Sequence, residues 1–384
     1  MANFYAPCDY EYGEITRNII AGKGFSRALV SEENPLPTST HAPLYPYFLA
    51  FFYQFGTKPF VYFIIQLIQA MIFTFAIYFV FKTTRLIFND SVGRITEWIV
   101  ALYPALIYYT TKLVPTTLFL FLISLTICLI INSKEKIFLY YLLCGFVLGM
   151  SILCDPVAFV LYPVIFIWFL VCKKINFFRV CLIILISFIV LLPWTIRNYK
   201  VHRTFVPVTT QFGVNFWIGN NQNATGTDFY KIKSIKTEDY ILMTQILPSD
   251  IQDSLNKISE FERTRFYLHR GFDFILHNPV KFLNLLIKKL YYYWWFAPSS
   301  EYSSKDLQKY RVLLYISYIP ALILGLAGIF LSIKNRKPVL FILLSIFFIS
   351  GLYIFTHVGL IRYRMPVELY LLMFSGYFVK SFRR

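Results

Sequence analysis

Residues 60–81 read FVYFIIQLIQAMIFTFAIYFVF, 22 residues without one charged side chain. A helix rises about 1.5 Å per residue, so a run of this length reaches across the roughly 30 Å hydrocarbon core of a bilayer. Lipid offers no partner for backbone N–H and C=O groups, and the run must close its hydrogen bonds internally, as a helix. Further apolar runs obey the same rule. With the first taken from 58 to 81, spans are expected at roughly 94 to 111, 113 to 131, 137 to 154, 156 to 172, 177 to 196, 312 to 333, 338 to 356 and 365 to 381. The alternating pattern of barrel strands is missing. The sequence therefore predicts an all-α polytopic membrane protein with about nine transmembrane helices.

Composition points the same way. Of 384 residues, 57% are hydrophobic and 15% charged, against about 25% charged in soluble domains. Lys and Arg outnumber Asp and Glu by 37 to 20, a formal net charge of +17. Topogenic residues beside the spans account for this surplus, and no basic patch with interleaved aromatics lies elsewhere. No nucleic-acid partner is expected. The six cysteines, Cys8, Cys128, Cys144, Cys154, Cys172 and Cys181, show no CxxC spacing and no clustering with His, so no disulfide framework and no metal site is expected.

Lys and Arg gather at alternate connections: Lys82, Arg85 and Arg94; Lys134 and Lys136; Lys173, Lys174 and Arg179; Lys334, Arg336 and Lys337; Lys380, Arg383 and Arg384. Those connections are expected to be cytoplasmic. The chain then divides into an external loop with an interfacial helix (1–57), a six-helix membrane region (58–196), a larger external loop (197–311) and a three-helix membrane region (312–384). The segment Phe282 to Phe296 (FLNLLIKKLYYYWWF) is assigned to the interface, because a tenth span would invert everything after it and its Trp and Tyr suit the headgroup region. An external amino-terminal segment needs a helix to carry it across, so a helix upstream of Met1 is expected.

The polar chemistry collects on the external side. Asp9 and Glu11 stand beside aromatics in CDYEY; a carboxylate in hydrogen-bond reach of an acceptor hydroxyl can take its proton, although a solvated loop gives the same text. His41 and Tyr45 follow in HAPLYPYFLAFFYQFG, as candidate substrate contacts. Arg362 and Arg364 flank Tyr363 at the outer end of the last span, and guanidinium forks suit a phosphate better than snorkelling explains them on this side. Lys112 and Arg197 are further candidate phosphate contacts. Asp155, between Cys154 and Pro156, is either a turn residue or a catalytic carboxylate. Asn220 and Asn221, in the external stretch PVTTQFGVNFWIGNNQNATG, could read a sugar or simply form a turn.

Three stretches, taken in order, resemble the GT-C superfamily of multi-spanning glycosyltransferases, which includes protein O-mannosyltransferases and bacterial lipid A aminoarabinose transferases. They are the D-x-x-Y opening with P-L-Y-P-Y-F-L-A, P-W-T-I-R-N-Y with the G-N-N loop, and R-Y-R-M-P. The resemblance implies a glycosyltransferase of the outer face of a membrane, most simply the bacterial inner membrane, using a polyprenyl-phosphate sugar donor and a lipid, glycan or protein acceptor. It implies inversion, Asp9 as general base, and Arg362 or Arg364 on the carrier phosphate. No cofactor is required, though a divalent metal is compatible. The chain departs from the family in having no helix before Asp9, Lys112-Leu113-Val114 where a Glu is common, and Asp155-Pro156 where Arg-Pro is frequent.

Other classes fit some of these residues. A lipid-linked sugar transporter or flippase would also need phosphate contacts, but no internal repeat is visible. A glycan polymerase or ligase would work from the long loop, with Arg197, Lys231, His269 and Arg270. An inactive relative is a third reading.

Overall fold

Long apolar runs give the longest elements: α3 (Pro59–Ile87), α9 (Phe177–His202), α14 (Lys305–Ser332) and α15 (Lys337–Phe355), with Pro193 carried inside α9 and Pro320 inside α14. The computed structural model describes residues 10–28, 35–56, 59–133, 137–172, 176–227, 229–233, 238–242, 247–296, 305–333, 337–356 and 360–382. Asp9 and much of the basic sequence at 134–136, 173–175, 334–336 and 383–384 lie outside the described residues.

Four helices are long and apolar enough to cross a membrane: α3, α9, the Val312–Ser332 part of α14 and the Pro338–Phe355 part of α15. Shorter apolar helices accompany them, namely α2 (Leu44–Tyr53), α6 (Thr116–Ile131), α7 (Phe138–Cys154) and the stretch Pro156–Val171, a 3-10 turn (Pro156–Val160) running into α8 (Leu161–Cys172). The chain is an integral membrane protein. The expected span at 94 to 111 is not one helix. It breaks into α4 (Asp90–Ala101) and α5 (Pro104–Thr110), with Tyr103 extended at φ −77°, ψ 113°. Pro104 explains the break, since it lacks an N–H and forces the residue before it out of the helical region. Pro115 likewise delays α6 to Thr116.

The last helix, α16 (Met365–Ser381), is enclosed by the others, and every residue from 364 to 376 is buried. It packs on α4 and α14. Small residues allow that approach: a β-carbon on Gly328 of α14 would stand 2.0 Å from the Phe374 carbonyl oxygen. Gly145 and Gly149 of α7 do the same against the Ile183 and Ser187 carbonyls of α9. With no hydrophobic drive between helices in lipid, such close backbone packing is the main source of association.

The remaining elements form an outer layer. They are α1 (Tyr10–Ile20), the two-residue pair β1 (Ser26–Arg27) and β2 (Leu36–Pro37), α10 (Phe212–Gly219), the hairpin β3 (Phe229–Lys233) and β4 (Glu238–Leu242), α11 (Ser249–Lys257), α12 (Glu260–His277) and α13 (Pro279–Trp294). α12 opens with a capping box between Ser259 and Glu262, which satisfies two orphan donors. Its first residue, Glu260, accepts from Thr38 Oγ1 at 2.6 Å, from Ser39 N at 2.9 Å, and from Thr210 Oγ1. The amino-terminal segment and the long loop are thereby tied together over the ends of the spans. The segment expected at the interface lies in α13, which buries Leu285, Lys289 and Tyr293 and exposes Val280, Leu283, Ile287 and Leu290.

Candidate active site

α1 buries Ile15 and Thr16 and packs on α2, with Thr16 Oγ1 bonded to the carbonyls of Tyr12 at 2.7 Å and Pro46 at 3.2 Å. This docking turns Tyr12 inward. Its ring meets His41 edge-on at 4.7 Å and Tyr45 at 5.6 Å, and burial pushes its phenol up to about 12. Tyr45 itself is fully buried, with its hydroxyl donating to Gln69 Oε1 at 2.8 Å, while Gln69 Nε2 holds the Thr110 and Lys112 carbonyls. Tyr45 is a strut behind the site.

Glu11 is held between a guanidinium and an imidazole. Its Oε1 lies 2.5 Å from Arg27 and its Oε2 2.9 Å from His41 Nε2, and the other nitrogen of His41 shares a hydrogen bond with Thr40 Oγ1 at 3.0 Å. Burial raises the Glu11 pKa, but the hydrogen bond and charge of His41 and the charge of Arg27 outweigh it and hold the carboxyl at about 2. Glu11 is therefore an anion at every working pH.

Asp155 ends α7 and begins the 3-10 turn, with extended backbone and Pro156 at the first position of the turn. Its side chain accepts from Val157 N at 3.0 Å. Burial raises its carboxyl to about 6, against the lowering effects of the Val157 bond and the charge of Arg362. Arg362 sits on a second 3-10 turn (Ile361–Tyr363) that leads into α16. Its guanidinium carbon lies 5.4 Å from the centre of the Tyr363 ring, and that ring stacks on Tyr353 at 4.8 Å.

These groups converge. Glu11, Tyr12, His41, Asp155, Arg362 and Tyr363 all line one cavity of about 500 Å³, a size typical of small-molecule sites. Thr209, Gln211 and Asn215 add polar groups to the lining, and Phe119, Phe159 and Leu352 add apolar surface. The segment carrying Pro207 and Val208 is held from α9: Trp194 Nε1 donates to Val208 O at 2.8 Å, Thr195 Oγ1 to Pro207 O at 2.9 Å, and Asn198 Nδ2 to both Val206 and Val208 carbonyls. One ionised carboxylate, a second poised near neutrality and a guanidinium can, together, accept a proton and hold a phosphate.

The other expected site residues are elsewhere. Arg364 is buried beneath the cavity wall, with Nε on Glu368 and Nη1 on the carbonyls of Tyr293 (3.0 Å) and Trp295 (2.8 Å), and with its guanidinium 3.7 Å from the Tyr318 ring centre. Arg197 belongs to the last turns of α9, which runs past the expected end of its span. It donates to the Thr38 carbonyl at 2.6 Å and the Phe25 carbonyl at 2.7 Å and stacks on Trp194. Lys112 is over the Tyr108 ring at 4.6 Å and does not line the cavity. Asn220 and Asn221 are buried turn residues bonded to backbone, Asn221 to Trp217 O and Asn220 to Phe216 O and Phe355 O. Two other amides, Gln211 and Asn215, nine and five residues before Asn220, do line the cavity and bond each other at 3.2 Å. Arg27, on Glu11, and Tyr353, in the lining, are not singled out by the sequence. Nothing in their spacing marks them, although the Gln211-to-Asn215 spacing is one helical turn and was available. Among the described residues no group of three or more His, Cys, Asp or Glu could hold one metal ion.

Comparison with known proteins bears on the whole arrangement. Residues 40–196 match the family described as dolichyl-phosphate-mannose-protein mannosyltransferase. The fold is similar to that of ArnT from Cupriavidus metallidurans bound to undecaprenyl phosphate, with a TM-score of 0.60 and 13% identity over 98% of this chain and 56% of that one. It is also similar to the Archaeoglobus fulgidus oligosaccharyltransferase, with a TM-score of 0.54 and 14% identity over 98% of this chain and 47% of that one. The same archaeal enzyme, AglB, in complex with an inhibitory peptide and a dolichol-phosphate gives a TM-score of 0.53 at 13% identity. The chain spans about half the length of these solved proteins. No curated protein sequence matches it. The family match runs from α2 into α9, and the likeness in fold to these membrane glycosyltransferases extends over nearly all of the chain.

Proposed function

We propose that this protein is an inverting glycosyltransferase that takes a sugar from a polyprenyl-phosphate carrier and passes it to a hydroxyl of a lipid, glycan or protein acceptor on the non-cytoplasmic face. The observation that carries this reading is the convergence of Arg362 with Glu11, His41 and Asp155 on one cavity. ArnT and AglB, similar in fold, have solved structures with undecaprenyl phosphate and with a dolichol-phosphate, respectively. In the proposed step the acceptor oxygen attacks the anomeric carbon, the bond from that carbon to the phosphate oxygen breaks, and its electron pair leaves with polyprenyl phosphate. The acceptor's proton goes to a carboxylate. Arg362 holds the departing phosphate, whose growing charge strengthens the contact in the transition state.

Two carboxylates compete for the base. The family resemblance favours Asp9, two residues before Glu11. The cavity favours Asp155, whose carboxyl at about 6 is matched to proton transfer near neutral pH, whereas Glu11 at about 2 is too weak a base and serves as a fixed anion for sugar hydroxyls. Radiolabelled polyprenyl-phosphate sugar incubated with purified protein and a membrane extract tests the activity, and Asp9→Asn beside Asp155→Asn assigns the base. No label transferred to any acceptor by folded protein would sink the reading. The outward orientation is tested separately: an alkaline phosphatase fusion after Tyr230 should be active and one after Arg336 silent.

A further inference from the structure

The lysine at 289 has no part in the reaction as described, yet it is fully buried on α13. Its Nζ donates to Asn220 Oδ1 at 3.0 Å, Thr356 O at 3.1 Å and Phe355 O at 3.3 Å. All three acceptors are uncharged oxygens, and burial pushes the ammonium down to about 7. Phe355 is the last residue of α15, where carbonyls lack intrahelical partners and a cation suits the helix dipole. Asn220 Nδ2 donates to the same Phe355 carbonyl at 3.0 Å. Lysine and asparagine together therefore cap the outer end of α15.

The same face of α13 reaches the far end of the connection that follows. Tyr293, one turn beyond Lys289, donates its hydroxyl to Tyr363 O at 3.3 Å, and the Tyr293 and Trp295 carbonyls accept from Arg364. Thr356, Arg362 and Tyr363 all line the cavity. α13 thus holds Phe355 and Thr356 through Lys289, and Tyr363 and Arg364 through Tyr293 and Trp295, on either side of the cavity residue Arg362.

We infer that Lys289 is a positioning residue: by fixing the carbonyls at Phe355 and Thr356 it sets where Arg362 stands in the cavity. The inference rests on the donor-phosphate role given to Arg362 under the proposed function. An apolar side chain of the same length would fill the volume and leave the Asn220 Oδ1 and the Thr356 carbonyl without that donor, so the wall would be free to shift.

Two readouts on the full-length protein in detergent separate this inference from the donor reading. In the first, Arg362→Cys is labelled with a soluble methanethiosulfonate and the modification at 362 followed by mass spectrometry. Adding Lys289→Met should change the labelling rate at least threefold, and an unchanged rate overturns the inference whatever the substrate is. In the second, with Arg362 intact, polyprenyl phosphate should raise the melting temperature of the wild-type protein, and Lys289→Met should need at least ten times more lipid for the same shift, with donor KM changed more than kcat. An altered labelling rate in a protein whose wild-type form ignores polyprenyl phosphate keeps the positioning role and removes the donor reading. If Lys289→Met does not fold, Tyr293→Phe takes its place in both assays, with changes of about threefold expected and no change in either overturning the inference.

Discussion

Arg362 and Arg364 are separated by one tyrosine, carry the same group and stand on the same turn, yet they do opposite things. Arg364 is 5% exposed and its donors end on Glu368 and two backbone carbonyls, with an aromatic face 3.7 Å away. Glu368, 1% exposed, also accepts from Tyr103 Oη at 2.6 Å, which ties α16 to the break between α4 and α5. Arg362 lines the cavity with Asp155. The 3-10 turn explains the divergence. At about 120° per residue, positions two apart point to different sides, so one guanidinium is built into the wall and the other faces the space. A pair of arginines at this spacing is therefore one structural residue and one candidate ligand contact, not a two-pronged clamp.

The largest expected effect follows from removing the structural member. Arg364→Ala leaves the Glu368 carboxylate buried and unmatched, a change that costs about 3–5 kcal/mol. The protein should lose most of its folded, monodisperse fraction on size exclusion in detergent, and its melting temperature should fall steeply. If Arg364→Ala is as stable as the wild type and instead fails only in donor binding, the division of labour between the two arginines is wrong.

Asp155→Asn should lower turnover by roughly a hundredfold or more if it is the base, without loss of stability. The sign is fixed by the direction of its shift. The folded pKa, about 6, lies above the ordinary Asp value of 3.8, so ionisation of Asp155 opposes folding: its favourable contribution is complete below pH 3.8 and lost as pH rises through 6. At pH 7 the amide should melt no lower than the wild type. Thermal melts of the two proteins at pH 5 and pH 7 check this.

Arg362→Ala should fold normally and weaken use of the lipid donor by roughly ten- to a hundredfold, the worth of one or two charge-assisted bonds. Arg362→Lys should recover part, since ammonium keeps the charge and loses the fork. The smallest effect sharpens the comparison further. Activity that needs ionised Asp155 falls as pH drops through about 6, and the Arg362 charge lowers that value. In Arg362→Ala the acid limb of the pH profile should move to higher pH, and in Arg364→Lys it should stay in place.

Reading along the chain found the long spans because hydropathy is a local property, and α3, α9, α14 and α15 follow the runs that announced them. It missed the break at Tyr103, where Pro104 was in plain view but the apolar run around it read through. Hydropathy marks 365 to 381 as one more span and does not show that residues 364 to 376 are buried among other helices. Hydropathy cannot separate these cases, because a helix buried in other helices and one bathed in lipid are equally apolar. In the site, the residue types were legible at Glu11, His41, Asp155 and Arg362, since ionisable groups at the ends of spans are costly and so stand out. Asn220, in a stretch that suits either sugar recognition or a turn, caps a helix end together with Lys289.

The sequence by itself determined that this chain lives in a membrane, that its bulk is helical and that its ionisable chemistry sits at the ends of the spans, because these follow from lengths of apolar sequence and the price of an unpaired backbone group in lipid. The tertiary structure alone decided which of those ionisable groups share a cavity. Glu11 owes its low pKa to Arg27 and His41, 16 and 30 residues away, and Asp155 faces Arg362 across more than 200. Such pairings are set by how helices cross, and close packing at glycines such as Gly149, against α9, and Gly328, against α16, helps to fix those crossings.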